Sequence, residues 1–166
     1  MQPLTPDDVQ TALDKLDYAI AIRFFDTPTA TSQQAADNIG CQLGQIVKSI
    51  AFMVDERPIL ALTSGDQRVD DRKIAALYSV GRKKVKAAST EQMIAIFGYG
   101  PGSMPPLAHR TEDIDVYIDE TLARFDMLYA AGGAHNAIFP VTLAQLLGMS
   151  GGRLADIVRP PAEEAS

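Results

Sequence analysis

Apolar residues fall along this chain in two periods, and the periods lay out alternating helices and strands. Thr5-Pro6-Asp7 combines a capping hydroxyl with a proline in the first turn, and Val9, Leu13 and Leu16 follow at helical spacing. Residues 18–25 (YAIAIRFF) read as a strand. Thr31 and Gln34 form a capping box; Ala35, Ala36 and Ile39 give the short helix behind it an apolar face, and Gly40 suits its C-terminal cap. Residues 45–54 (QIVKSIAFMV) and 59–63 (ILALT) are two β-rich runs, with Asp55-Glu56-Arg57-Pro58 as the hairpin tip between them. A helix is expected over 70–78 and a short basic strand over 83–86. Ser89 and Gln92 form a second capping box, opening a helix that runs to Phe97. Residues 98–106 (GYGPGSMPP) form a Gly/Pro loop without regular structure. Strands follow at 114–119, 126–131 and 136–140, and Thr142 with Gln145 caps a final helix through Leu147. Helices and strands interleave while several strands join through tight turns. This predicts an α+β domain with a mixed or antiparallel sheet. The domain is expected to span 1–159, with 160–166 (PPAEEAS) as a frayed tail.

Composition narrows the class. A chain of 166 residues buries about two thirds of its unfolded surface and needs no disulfide or metal staple. Hydrophobic residues at 46 % and charged residues at 22 % exclude disorder and collagen-like repeats. The single cysteine, Cys41, excludes an intrachain disulfide and suits a small buried position at a helix end. The first residues lack the basic and apolar regions of a signal peptide, and no run approaches the 18 or so apolar residues of a membrane helix. The expectation is a soluble, cytoplasmic protein with no membrane partner.

Charge changes the picture locally. The net charge of −6 argues against a general nucleic-acid coat, so no DNA partner is expected. Residues 68–86, however, hold seven of the 15 basic residues against Asp70 and Asp71 only, which makes the segment +5 and the remainder −11. Such a stripe either holds a limited stretch of phosphates or is a solvated lysine-rich surface.

Several kinds of chemistry are missing. His109 and His135 are the only histidines and have no metal-ligand spacing around them, and neither a serine-nucleophile elbow nor a Walker loop is present. No metal site is expected. Lys48 is the outlier. It sits in Ile46-Val47-Lys48-Ser49-Ile50-Ala51-Phe52, where both strand faces are largely apolar. Burying a lysine there is costly without a partner or ligand, unless the side chain snorkels to water from the strand end. The second candidate is the 98–106 loop, in which three glycines permit close backbone approach and three prolines confer rigidity. Alternatively, it is an ordinary connection. The third is Ala131-Gly132-Gly133-Ala134-His135, either a glycine turn or a pocket rim. The fourth, Ser64-Gly65-Asp66, equally suits a plain turn.

These segments, taken in order, resemble the YbaK/ProX family of aminoacyl-tRNA deacylases, relatives of the editing domain of prolyl-tRNA synthetases. The resemblance rests on residues 31–40 (TSQQAADNIG), 43–50 (LGQIVKSI), 62–70 (LTSGDQRVD), Gly98-Tyr99 with Gly102-x-x-Pro105-Pro106, Ile118-Asp119-Glu120, and Ala131-Gly132-Gly133-x-His135, and covers roughly residues 20 to 148. It implies a mixed, barrel-like sheet surrounded by helices. It also implies an ester hydrolase, independent of metal and of any organic cofactor, that removes a wrong amino acid from the acceptor end of tRNA. By the same resemblance Lys48 and Gly102 are the catalytic positions, while Ser64, Gly65, Asp66, Ser103, Met104, Pro105 and His135 bind substrate. Arg82, Lys83 and Lys84 become candidates for tRNA phosphates. Two other readings are a non-catalytic module that binds an aminoacyl or tRNA end, and an interaction domain retaining only the scaffold. The loop departs from the usual family pattern in Ser103 after Gly102 and in Leu107-Ala108 where a Phe-Gly pair is common. Those departures bear on amino-acid specificity more than on the reaction.

Overall fold

A computed structural model describes residues 1–160, so the part of the expected tail from 161 to 166 lies outside the described residues. Five helices pack on an eight-stranded mixed sheet. The helices are α1 (Pro6–Lys15), α2 (Ser32–Ile39), α3 (Asp71–Leu77), α4 (Thr90–Gln92) and α5 (Leu143–Ser150). The strands are β1 (Arg23–Phe24), β2 (Ile46–Val54), β3 (Arg57–Ser64), β4 (Val85–Ala87), β5 (Asp115–Asp119), β6 (Leu128–Ala131), β7 (Ala137–Val141) and β8 (Arg153–Ala155). The strand order is β1-β7-β6-β2-β3-β5-β8, with β4 paired to β2 off this path. The expected α+β class holds. The sheet is an open path, however, and does not close into the barrel that the resemblance implied.

All three capping boxes in the sequence form, at Thr31/Gln34, Ser89/Gln92 and Thr142/Gln145. The β2–β3 hairpin is tighter than expected. Asp55 and Glu56 alone make the turn, both at positive φ (49° and 70°), as a two-residue hairpin loop requires.

Three other elements depart from expectation for identifiable reasons. Only Arg23 and Phe24 of the 18–25 run pair as a strand. Asp17 and Ala19 have positive φ, and the Gln10 side chain takes the Ile20 carbonyl and the Ile22 amide that a ladder would have used. The basic segment begins as a 3₁₀ turn, Arg82–Lys84, and extends only from Val85. The helix opened by Ser89 converts after one turn into a π-helical turn, Met93–Phe97, ended by Gly98 at φ 100°.

The core divides by sheet face. On one face, Val47 and Ala51 of β2, Leu60 and Leu62 of β3 and Ile118 of β5 pack against α1, α5 and the Gly/Pro loop. On the other, Phe52 and Ile59 pack with Ile74 of α3, while Ile46 and Ile138 pack separately with Ala35 and Ala36 of α2. Lys48 lies between these last two clusters.

Candidate functional site

Strand β2 is fully paired with β3 along one edge, but its other edge is shared. Parallel β6 takes Ile46 and Val47, and antiparallel β4 takes Phe52 to Val54. The stretch 48–50 therefore has no strand partner on that edge. Burial follows the gap, since Lys48, Ser49 and Ile50 are half-buried while Ile46, Val47, Ala51 and Phe52 are buried.

A cavity of about 270 Å³ opens there. Its floor is Ile46 to Ser49. One wall is the segment Thr29 to Ser32 with Ala35 of α2, another is Gly102 with Met104, and Ala131 and Ile138 complete it. This volume lies below the roughly 300–1,000 Å³ usual for drug-sized ligands, so the cavity suits a small group.

Lys48 reaches from the floor to donate a hydrogen bond from Nζ to the Gln67 carbonyl at 2.9 Å. Burial lowers its pKa from the usual lysine value, and the nearby Arg68 charge adds to the effect, against a weaker opposing pull from Asp66. Beside it, the buried Ser49 Oγ has no hydrogen-bond partner, and neither does the fully buried Thr63 Oγ1 of the facing strand β3. An unpaired buried hydroxyl costs about 1–3 kcal/mol. Replacing Ser49 by alanine should therefore raise the thermal melting point slightly, as a melting curve beside the native chain reads directly. A lower melting point would show instead that the hydroxyl supports the fold.

The Gly102 wall is held from several sides. His135 Nε2 hydrogen-bonds the Pro101 carbonyl at 2.9 Å, His109 Nε2 the Pro105 carbonyl at 2.8 Å, and Tyr99 Oη donates to the Ala108 carbonyl at 2.9 Å. Both histidines of the chain thus pin the loop. Gly102 has φ 82°, and a Cβ there would lie 2.9 Å from Ala30 Cβ and 3.0 Å from the Ala30 carbonyl. The glycine lets the two walls approach each other.

Burial lowers the His109 pKa from the usual histidine value, with the Pro105 carbonyl opposing it. The unfolded chain binds a proton near pH 6.5 that the folded protein resists. The stability contributed by neutral His109 is full above that pH and is lost as pH falls through the folded value. Urea unfolding at pH 8 and pH 5 should show a smaller acid loss for His109→Phe than for the native chain. Equal losses would mean that His109 does not contribute.

Of the residues singled out from sequence, Lys48, Gly102 and Met104 line one cavity. The others are not among its lining residues. Ser64 Oγ donates to the Gly44 carbonyl and accepts from Arg124 Nη2 at 2.8 Å, and Arg124 also pairs with Asp66 at 2.9 Å. Burial works to raise the Asp66 carboxyl, but the Arg124 guanidinium, through its hydrogen bonds and its charge, holds it below the usual range. Gly65 packs behind the cavity wall, where a Cβ would lie 2.6 Å from the Leu43 carbonyl and 3.0 Å from Ser32 Cβ. Ser103 turns its hydroxyl onto the Gly100 carbonyl at 3.0 Å, Pro105 is buried, and the His135 side chain caps the loop at Pro101, outside the cavity lining. Arg82, Lys83 and Lys84 form the exposed 3₁₀ turn. Sequence reasoning passed over Ser49, the 29–32 wall and Ile138. Ser49 carried a signal of its own, as a polar residue next to Lys48 in the same apolar run. Among the described residues, no three histidine, cysteine or acidic side chains gather as metal ligands.

The model of the aminoacyl-tRNA editing domain matches residues 26–149, a span that holds the cavity floor and all its walls. The chain belongs to the aminoacyl-tRNA editing domain family. An uncharacterized Bacillus subtilis protein, YwhH, is 32 % identical over 125 residues, covering 74 % of this chain and 76 % of its own length. The proline–tRNA ligase of Bacillus pumilus is 33 % identical over 107 residues, which cover 64 % of this chain but only 18 % of the ligase. A crystal structure described as a candidate trans-editing enzyme for prolyl-tRNA synthetase superimposes with a TM-score of 0.86 at 31 % identity, covering 93 % of this editing domain and 97 % of that chain. No helix among the described residues is long and apolar enough to cross a membrane.

Proposed function

We propose that this editing domain hydrolyses the ester that joins a small, wrongly attached amino acid to the 3′ end of a tRNA. The observation that carries this reading is the cavity at the unpaired edge of β2, where Lys48 and the orphaned Ser49 hydroxyl stand opposite Gly102. An aminoacyl ester is already activated, so a positioned water, helped by the vicinal ribose hydroxyl, is nucleophile enough without a serine or cysteine. Lys48 supplies a cation, and the Gly102 segment supplies backbone donors, where negative charge grows on the ester carbonyl. No cofactor enters the scheme. The small volume, and a lining that mixes alanine, isoleucine and methionine side chains with threonine and serine hydroxyls, favour side chains of alanine-to-threonine size. Discrimination between such amino acids by one methylene reaches only about 10- to 200-fold, which is why a separate hydrolytic site is useful.

The kinship with proline–tRNA ligases and with a candidate trans-editing enzyme makes tRNA charged by the prolyl enzyme the first substrate to try. Deacylation of a panel of tRNAs mischarged with alanine, serine, threonine or cysteine tests the proposal. Arg82, Lys83 and Lys84 are assigned to the tRNA backbone. Changing all three to glutamate should weaken tRNA binding and flatten its salt dependence by about 0.7–0.9 for each phosphate no longer neutralised. An unchanged slope would leave the turn a solvated surface.

A further inference from the structure

Beyond the ester cavity, a second concavity of about 420 Å³ lies between α3, the 3₁₀ turn and the segment after β8, and three arginines line it: Arg72, Arg82 and Arg159. They come from points far apart in sequence and are brought together by backbone hydrogen bonds. Val69 and Val158 form an antiparallel bridge, flanked by bonds from the Arg159 amide to the Arg68 carbonyl and from the Asp70 amide to the Ile157 carbonyl, both 2.8 Å. The Lys84 amide closes the 3₁₀ turn on the Gly81 carbonyl at 2.9 Å. Among the described residues, Arg57, Lys73, Lys84 and Arg124 have a carboxylate within 4.0 Å, whereas these three arginines do not. Asp70 and Asp71 also line the concavity, but one Asp70 oxygen is engaged as the cap of α3, accepting from the Arg72 amide at 2.9 Å. Three guanidiniums against two carboxylates leave one net positive charge, which suits a single phosphodiester rather than a run of them.

We propose that Arg72, Arg82 and Arg159 form a phosphate-binding site for one backbone phosphate of the RNA strand that leads to the ester cavity. The assignment of an RNA ligand rests on the proposed function; the anion site itself rests on the arginine geometry. The two cavities are joined through the chain. Lys48 holds the Gln67 carbonyl, Arg68 follows, and Asp70 already lines the second concavity, only about 10 Å of chain further on at ~3.3–3.6 Å per residue. Guanidiniums present planar forks that grip two phosphate oxygens at once, which an ammonium does not. A fixed phosphate would set the register of the strand and bring its 3′ ester to Lys48, as backbone contacts do without reading sequence.

The test uses uncharged tRNA, so it does not depend on hydrolysis. Affinity is measured across a salt series for the native chain and for Arg72→Gln, Arg159→Gln, Arg159→Lys and, as a control away from the concavity, Arg153→Gln. Each glutamine variant of the site should bind several-fold more weakly, with a log–log salt slope shallower by about 0.7–0.9. Arg159→Lys should keep the slope and still lose affinity, and Arg153→Gln should behave as native. In parallel, millimolar inorganic phosphate should shift the Nε–H resonances of Arg72, Arg82 and Arg159 together. Native affinity and slope in both glutamine variants, or full replacement of Arg159 by lysine, would overturn the site. Arginine-dependent binding by a protein that deacylates nothing would overturn the proposed reaction and leave the site standing.

Discussion

Lys48→Ala should fold normally and lose deacylase activity by a factor on the order of 10²–10³, the cost of removing one donor from a site of developing negative charge. The fold is expected to survive because the ammonium is not a source of stability where it stands. Burial and the Arg68 charge both disfavour the charged form, and among the described residues the Gln67 carbonyl is its only hydrogen-bond partner. Circular dichroism and a melting curve at or slightly above the native value, together with lost turnover, would separate a catalytic lysine from a structural one. Lys48→Arg should restore little, since a planar guanidinium does not match a point ammonium on the Gln67 carbonyl. Full activity in folded Lys48→Ala protein would remove the lysine from the mechanism.

Gly102 should be the most sensitive position in the loop. At φ 82°, any side chain adopts a left-handed backbone that costs about 1–2 kcal/mol. The added Cβ also meets Ala30 Cβ at 2.9 Å and the Ala30 carbonyl at 3.0 Å, and overpacking of that kind costs typically about 1–3 kcal/mol. Ala30 belongs to the opposite wall of the same cavity. Gly102→Ala should therefore push the two walls apart and reduce turnover of every substrate in the panel, and Gly102→Val should do so more severely. A compensating Ala30→Gly change should recover part of the activity of Gly102→Ala, because it removes the nearest atom of the clash. Native rates in Gly102→Ala would mean that the loop does not shape the cavity.

The parts of this fold that local chemistry decides were open to reading from the sequence. The capping boxes, the apolar β2 and β3 runs and the lysine misplaced among them all appear where their residue types require. The parts decided by distant partners were not. Residues 18–22 have the composition of a strand, yet the Gln10 side chain, from α1, takes their backbone groups. Strand β8 is three residues long and is recruited by β5, with nothing in Arg153-Leu154-Ala155 to announce it. Sheet closure is likewise a long-range property, and the observed path stays open. The site divides in the same way. Lys48 declared itself by its cost, and Gly102 by its loop. The unpaired edge that makes a cavity between them depends on β4 and β6 meeting β2 at different heights, which no local pattern encodes. For that reason the sequence also did not reveal that Ser64 and Asp66 are engaged with Arg124, or that Ser103 faces its own loop.

Single-turnover deacylation of tRNA mischarged with alanine, serine, threonine or cysteine, followed side by side for the native chain and Lys48→Ala, tests the central claim most directly. Release of at least one small amino acid at a rate well above spontaneous hydrolysis, abolished in folded Lys48→Ala, is the predicted result. Tight binding of the same tRNAs with no release above background in either protein would contradict it, and would make this editing domain a module that captures the aminoacyl end without cleaving it.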